Sequence, residues 1–244
     1  MEVLALNCSP RMDQRNTALI LTPFIEGLRE NGADVELCHA YRLKINPCQG
    51  DMSCWLRTPG ECYQDDDMRV LYPKLREADV LVFAAPVFVD GMPWTMKTLI
   101  DRMVALLRPH IEIRDGHCRH LVRKGHKHSK VALVSSCGFW EMDNFAPLVM
   151  HLQAICKNAC WKYAGALLRP HSGALWYMLR KGMPVHDVVG AAKEAGRELA
   201  IDSKMSDQTL KTVGRELCSL ETYVEKLDHD FKKALNRLKE CDEL

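Results

Sequence analysis

Apolar runs alternate with helical patterns along the chain. Val80–Ala85 and Val131–Val134 are apolar at every position, as strands of a parallel sheet covered on both faces require. Val3–Leu6 and Tyr163–Leu168 are further strand candidates, and Val35 begins another. Helical spacing fills the intervals at 16–32, 65–77, 94–107 and 145–158. Strand and helix in repetition predict an α/β fold, a doubly wound five-stranded parallel sheet of order 2-1-3-4-5.

The chain after the last predicted strand carries a different pattern. Its apolar residues are spaced 3-4-3-4, an a/d heptad pattern that predicts one long helix. Such a stripe packs either on a partner subunit or back on its own domain, and the sequence leaves both open. We therefore expect a sheet domain at 1–170 and a helical extension at 171–244. The stripe comprises Leu210, Val213, Leu217, Leu220, Val224, Leu227, Phe231, Ala234 and Leu238.

A second unusual segment, 108–130, contains five histidines and is long for a connection. We expect it to form a hairpin or lobe near the active-site end of the sheet. Its pairs His117/His120 and His126/His128 raise the question of a metal site, although solvated basic segments often hold such residues without binding metal.

Composition narrows the classes of protein. The 244 residues carry a net charge of +1, so the composition does not favour a nucleic acid or a membrane as a partner. No run approaches 18 apolar residues and no secretion signal is visible, so we expect a cytoplasmic protein whose eleven cysteines are mostly reduced thiols.

The loop after the first strand has the features of a phosphate site. A strand that ends in a polar loop and opens a helix offers free N–H groups and a positive dipole end to an anion. Side-chain donors and positive charges accompany them, although capping and solvated arginines would explain the same residues. Neither a Walker A loop nor a GxGxxG fingerprint is present. The candidate phosphate residues are Ser9, Pro10, Arg11, Arg15, Asn16 and Thr17.

Two later loops follow the third and fourth strands, at the same edge of the predicted sheet. The first contains Pro86, Val87, Phe88, Val89, Asp90 and Gly91, and leads into a helix with Leu99-Ile100-Asp101-Arg102. The second contains Ser136, Cys137, Gly138 and Phe139. Proline and glycine fix turns, and glycine lets backbone approach a ligand closely.

In this order, Ser-Pro-Arg…Asn-Thr, Pro-Val-Phe…Leu-Ile-Asp-Arg and Ser-Cys-Gly-Phe resemble the NADPH-dependent FMN reductase and iron–sulfur flavoprotein family. The resemblance covers most of residues 1–170. It implies a flavodoxin-like fold, FMN as cofactor and NAD(P)H as co-substrate. It also implies that Pro86–Gly91 and Ser136–Phe139 flank the flavin ring, and that a homodimer or homotetramer forms. This loop has Cys8 where the family usually has glycine.

The resemblance also bears on the cysteines of segment 46–62. Iron–sulfur flavoproteins place four cysteines here, and Cys48, Cys54 and Cys62 match three of those positions. Asp51 stands at the remaining one, and a hard carboxylate should weaken a cluster that normally takes four thiolates. We therefore expect no iron–sulfur cluster. Zinc held by the same four residues is an alternative with poor spacing.

The resemblance implies an NAD(P)H oxidoreductase that passes electrons through FMN to a quinone, nitroaromatic, flavin or similar small acceptor. Cofactor chemistry requires no general acid or base, and we nominate no catalytic side chain. The alternatives are an FMN electron carrier serving protein partners and a flavin-binding module that regulates assembly.

Overall fold

The computed structural model describes residues 1–242. Five strands form one parallel sheet of order β2-β1-β3-β6-β7, which confirms the predicted α/β fold and topology. Its strands are β1 Glu2–Asn7, β2 Asp34–His39, β3 Val80–Pro86, β6 Lys130–Ser136 and β7 Lys162–Arg169, while β4 Leu107–Arg114 and β5 His117–Val122 form a separate antiparallel hairpin. The helices are α1 Ala18–Glu30, α2 Ser53–Leu56, α3 Met68–Glu77, α4 Trp94–Arg102, α5 Ala146–Ala159, α6 Ser172–Arg180, α7 His186–Asp202, α8 Asp207–Gly214 and α9 Leu220–Asp242.

Each face of the sheet has its own apolar core, because the central strands are buried on both sides. One core joins the sheet to α3, α4 and α5 through residues such as Leu71, Leu99 and Leu152. The other joins it to α1, α6 and α7 through residues such as Phe24 and Ala192. Residues 172–213 therefore cover one face of the sheet.

Helices α1 and α7 touch backbone to backbone at a pair of glycines. A Cβ built on Gly196 would lie 2.0 Å from the Phe24 carbonyl oxygen, and one on Gly27 would lie 1.9 Å from the Lys193 oxygen. No larger residue fits this crossing without separating the helices. The contact fixes α7 against the helix that follows the first loop.

The third predicted helix, 94–107, is shorter than expected. The helix α4 ends at Arg102, a 3₁₀ turn occupies Met103–Leu106, and Leu107 already belongs to β4. Side chains take the carbonyls at this end: Tyr72 Oη donates to the Arg102 oxygen at 3.0 Å, and Trp55 Nε1 donates to the Val104 oxygen at 3.0 Å. The helical spacing of apolar residues continues to Leu107, but the helical backbone ends at Arg102.

A buried ion pair joins α4 to the start of α3. Asp66 accepts from both terminal nitrogens of Arg102, at 2.5 and 3.1 Å, and from the backbone N–H groups of Asn46 and Met68. The side chains of the pair are 3% and 1% exposed. Burial raises the pKa of Asp66, but these hydrogen bonds outweigh it and hold the pKa below its usual value.

The histidine-rich segment forms the expected hairpin, but at the other edge of the sheet. Arg114 and Arg119 bond Asn158 in the last turn of α5, which leads to the start of β7, and Lys127 bonds the Arg76 oxygen at the end of α3. The ends of α3 and α5 lead directly into β3 and β7, so these contacts lie at the amino-terminal ends of the strands. The expectation that the segment lies near the carboxyl-edge loops is therefore wrong.

The prediction of one long tail helix is also wrong. Helix α8 ends at Gly214, and α9 begins at Leu220. Between them the backbone is held by β7: Arg169 donates to the carbonyls of Val213 at 2.6 Å and of Arg215 at 2.8 Å. The backbone carbonyls that would accept hydrogen bonds within a continuous helix therefore accept them from Arg169. The heptad spacing of apolar residues nevertheless continues from α8 into α9.

Candidate functional site

Three loops meet at the carboxyl edge of the sheet, at the ends of β1, β3 and β6. Direct contacts join them: Thr17 and Ser136 hydroxyls lie 2.8 Å apart, and the Val87 N–H donates to the Ser136 oxygen at 2.9 Å. Thr95, in the first turn of α4, donates to the Cys8 oxygen at 3.3 Å. Their shared position follows from parallel strands, whose carboxyl ends lie at one edge.

The first loop runs from β1 into α1, and the buried side chain of Asn7 holds its backbone. Asn7 is fully buried, accepts from the Ser9 N–H at 3.0 Å and donates to the Met12 oxygen at 3.4 Å. Within the described chain, the backbone N–H groups of Asn16 and Thr17 have no partner. These N–H groups stand at a helix start, where the dipole favours an anion.

The predicted residues of this loop differ in their exposure. Ser9 and Thr17 are buried, Pro10 and Asn16 are half-buried, and Arg11 and Arg15 are exposed. The Arg15 guanidinium lies 4.9 Å over the ring of Trp176 on α6, a cation–π contact. Sequence analysis missed Trp176, because β7 and the following helix carried no recognised motif.

The second loop contains a strained tight turn. Phe88 and Gly91 exchange two backbone hydrogen bonds, at 3.0 and 3.1 Å, and the residues between them, Val89 and Asp90, have φ of 45° and 58°. This is the type I′ arrangement, which favours asparagine and glycine, and a β-branched residue there is an outlier. Val89 is 100% exposed, so packing does not explain the strain, which is typical of functional loops.

The third loop, residues 136–139, forms one wall of the candidate site. Its backbone is hydrogen-bonded to β7 and α6. The Cys137 N–H donates to the Arg169 oxygen at 3.0 Å, and Ser172 donates to the Cys137 oxygen through both its N–H and its hydroxyl. A Cβ built on Gly138 would meet nothing within 4 Å. Gly138 therefore faces open space, and Phe139 beside it is 63% exposed.

Cys137 is the thiol of this wall. It is 4% exposed, and burial raises its pKa above the ordinary value despite hydrogen bonds from the Phe139 and Gly138 N–H groups. A thiol rather than a thiolate therefore occupies this position at neutral pH, and thiol redox chemistry is disfavoured.

A buried cation and histidine behind the wall were missed from the sequence. Arg169 and His171 are both fully buried, with Arg169 Nη2 2.8 Å from His171 Nε2. His171 Nε2 also accepts from the Leu217 N–H at 3.1 Å. Burial and then Arg169 lower the pKa of His171 to about 4, so the ring is neutral. Tyr223 of α9 donates to the Gly138 oxygen, and the tail is thereby fastened to the wall.

Exposed aromatic side chains surround the three loops. Phe88 is 44% exposed, Phe139 63% and Trp94, at the start of α4, 65%. Trp94 meets Tyr41 edge to face with ring centroids 5.7 Å apart. Exposed aromatic surface next to converging loops is typical of a binding site for planar molecules.

The cysteine segment is not part of this edge. Cys48, Asp51, Cys54 and Cys62 line a mostly apolar cavity of about 450 Å³ beside Arg102. Among residues 1–239, whose side chains the structure describes, no three histidine, cysteine or acidic groups are arranged to hold a metal ion. Burial raises the pKa of Cys54 further from the thiolate form, with smaller contributions from its neighbours. Three thiols and one carboxylate do not make up the four-thiolate set that an iron–sulfur cluster normally takes.

The family model for NADPH-dependent FMN reductase matches residues 1–147. An iron–sulfur flavoprotein of Methanosarcina thermophila is 31% identical over 115 residues, 47% of this chain and 59% of the relative. One from Archaeoglobus fulgidus is 33% identical over 102 residues, 42% and 48% of the two chains. The chain spans about half the length of the curated relatives it matches.

Solved structures share the fold at low identity. The FMN-dependent NADH-azoreductase of Bacillus anthracis, solved with FMN, is 15% identical with a TM-score of 0.58, over 82% of this chain and 100% of that one. NAD(P)H:quinone oxidoreductase from Methanothermobacter marburgensis is 18% identical with a TM-score of 0.56, over 82% of this chain and 96% of that one.

No described helix is both long and apolar enough to cross a membrane.

Proposed function

Because this chain belongs to the NADPH-dependent FMN reductase family, we propose that it binds FMN at the carboxyl edge and passes electrons from NADPH or NADH to a small-molecule acceptor. The observation that carries the proposal is the convergence of three loops on one edge, joined through Thr17, Val87 and Ser136. That edge offers unpartnered N–H groups at the start of α1 and open space beside Gly138.

The first loop fits the phosphate of FMN. The N–H groups of Asn16 and Thr17, together with the side chains of Ser9, Asn16 and Thr17, would donate to the dianion. Arg11 adds positive charge from the surface. Arg15 is held on Trp176, so its part is to raise the local positive potential while staying at the rim of the loop.

The second and third loops fit the two sides of the ring system. In the strained turn the N–H groups of Val89 and Asp90 have no partner in the described chain, and Gly138 leaves room that a side chain would fill. When bound, the flavin supplies hydride acceptance and onward electron transfer, and the protein supplies orientation and electrostatics. We assign no acid or base: the buried His171 is neutral and engaged with Arg169 and Leu217.

The acceptor we propose is planar and conjugated: a quinone, nitroaromatic, azo compound or free flavin. Phe88, Trp94 and Phe139 expose ring surface around the loops, which suits stacking of such molecules. An iron–sulfur cluster is not part of the proposal, because Asp51 stands where the family has a fourth cysteine and a cluster normally takes four thiolates.

The phosphate loop is tested by FMN titration of the Ser9→Ala and Asn16→Ala variants. Hydrogen bonds to charged groups contribute about 1.5–3 kcal/mol, so each change should weaken FMN binding roughly 10- to 100-fold. Gln14→Ala is the matched control, since Gln14 is an exposed residue of the same loop. Equal affinity in all three variants would show that the phosphate lies elsewhere.

A further inference from the structure

The second half of α9 is an amphipathic helix whose apolar stripe nothing in the described chain covers. Tyr223 is buried and Leu227 half-buried, but every side chain from Asp228 to Lys239 is exposed. Phe231, Leu235 and Leu238 are 57–66% exposed. An isolated helix of this length is marginal in water, and an apolar stripe of this kind is stable when another surface covers it.

The heptad positions of α9 identify the kind of surface that fits. With Val224 at position a, the core positions are Leu227, Phe231, Ala234 and Leu238. The flanking g positions are then Tyr223, Asp230 and Arg237, and the e positions include Asp228 and Leu235. Two helices with this repeat pack knobs into holes, and the e and g charges select their orientation and register.

We propose that two copies of this chain pair through α9 as an antiparallel two-helix coiled coil centred between Phe231 and Ala234. In this register Phe231 packs on Ala234 of the second copy, so the largest core side chain meets the smallest. Asp230 faces Arg237 of the second copy, and the two-fold axis makes the contact twice.

Other arrangements of the same helices are disfavoured by the same residues. Sliding the antiparallel pair by one heptad in either direction places Asp230 opposite itself or Arg237 opposite itself. A parallel pair stacks Phe231 on Phe231 and separates Asp230 from Arg237 of the second copy. Like charges disfavour the two shifted antiparallel registers, and only the proposed register places Asp230 opposite Arg237.

The charge of Asp230 is already partly compensated within its own helix. Lys226 lies 2.5 Å from its carboxylate, one turn earlier, and the carboxylate is 52% exposed. A carboxylate accepts several hydrogen bonds, so Arg237 of the second copy can join Lys226 at Asp230. The pairing also leads back to the loops at the carboxyl edge, since Tyr223 in the first turn of α9 holds the Gly138 oxygen.

The test is the mass of the full chain in solution, measured by sedimentation over a range of concentrations. Asp230→Arg and Arg237→Asp should each weaken association roughly 10- to 100-fold, because two attractive contacts become repulsive. The double variant should restore it. Glu225→Arg, the same charge reversal at the outer b position, is the control and should leave the mass unchanged. Helicity by circular dichroism verifies that α9 stays folded.

Three results would overturn the proposal. The chain could be a monomer at every concentration, or Phe231→Glu could leave its association unchanged, which would place the interface elsewhere. Loss of association in both single variants without recovery in the double variant would exclude the antiparallel register, and would leave a parallel pair or α9 docked on the body of the second copy. None of these readouts depends on flavin binding, so failure here and failure of the proposed activity are distinguishable.

Discussion

The hydroxyl pair that joins two loops of the candidate site allows a quantitative test. Thr17 Oγ1 and Ser136 Oγ lie 2.8 Å apart, and both residues are at most 2% exposed. Thr17→Val keeps the shape of the side chain but leaves the Ser136 hydroxyl without its partner. Ser136→Ala does the reverse. A buried polar group left unpaired costs about 1–3 kcal/mol, whereas removing both partners is much less costly.

The expected free energies form a double-mutant cycle. Each single change should lower the unfolding free energy of the FMN-free protein by about 1–3 kcal/mol, and the double change by no more than one single change. The coupling energy is then at least as large as the loss in one single variant, about 1–3 kcal/mol. Urea unfolding followed by circular dichroism measures all four proteins. Strictly additive losses would refute the reasoning, because they would mean that the two hydroxyls act independently.

Further predictions concern stability, pH and thiol chemistry. Asp66→Ala should lower the unfolding free energy by about 3–5 kcal/mol, because it leaves a buried guanidinium unpaired, whereas Asp65→Ala at an exposed pair should change it by less than about 1. The pKa of Asp66 is lowered in the folded state, so its contribution is present above the ordinary aspartate pKa and is lost as the pH falls through the folded-state value; urea unfolding at descending pH should show the variant and the parent converging. Gly196→Ala should cost about 3 kcal/mol or more, because its Cβ meets backbone, while Gly190→Ala on the same helix, with open space around it, should be neutral or slightly stabilising in thermal melts. Cys137 should be alkylated far more slowly than the exposed cysteines at pH 7, as mass spectrometry of timed labelling would show.

The sheet was predictable because its evidence is local. Buried parallel strands such as Val80–Ala85 must be apolar on both faces, and the order of strands and helices then fixes the topology. The three loops were located for the same reason, since each directly follows a strand. Their function as a flavin site remains a prediction from family resemblance.

The parts that failed depend on contacts distant in sequence. The break before α9 arises because Arg169 and His171 bind backbone groups of 213–217, which no local pattern shows. The hairpin lies at the amino edge because its arginines reach the end of α5, more than 35 residues away. Helix α7 was not predicted as a separate element. The need for glycine at position 196 follows only from its contact with α1, which is distant in sequence.

The central claim is that the carboxyl-edge loops hold FMN and that NADPH or NADH reduces it there. The most direct measurement is the absorption spectrum of the FMN-loaded protein, recorded anaerobically before and after addition of either nucleotide. The account predicts flavin bands that bleach with nucleotide and return when a quinone is added. Failure to take up FMN would contradict the site, and bound flavin that neither nucleotide bleaches would contradict the reductase function.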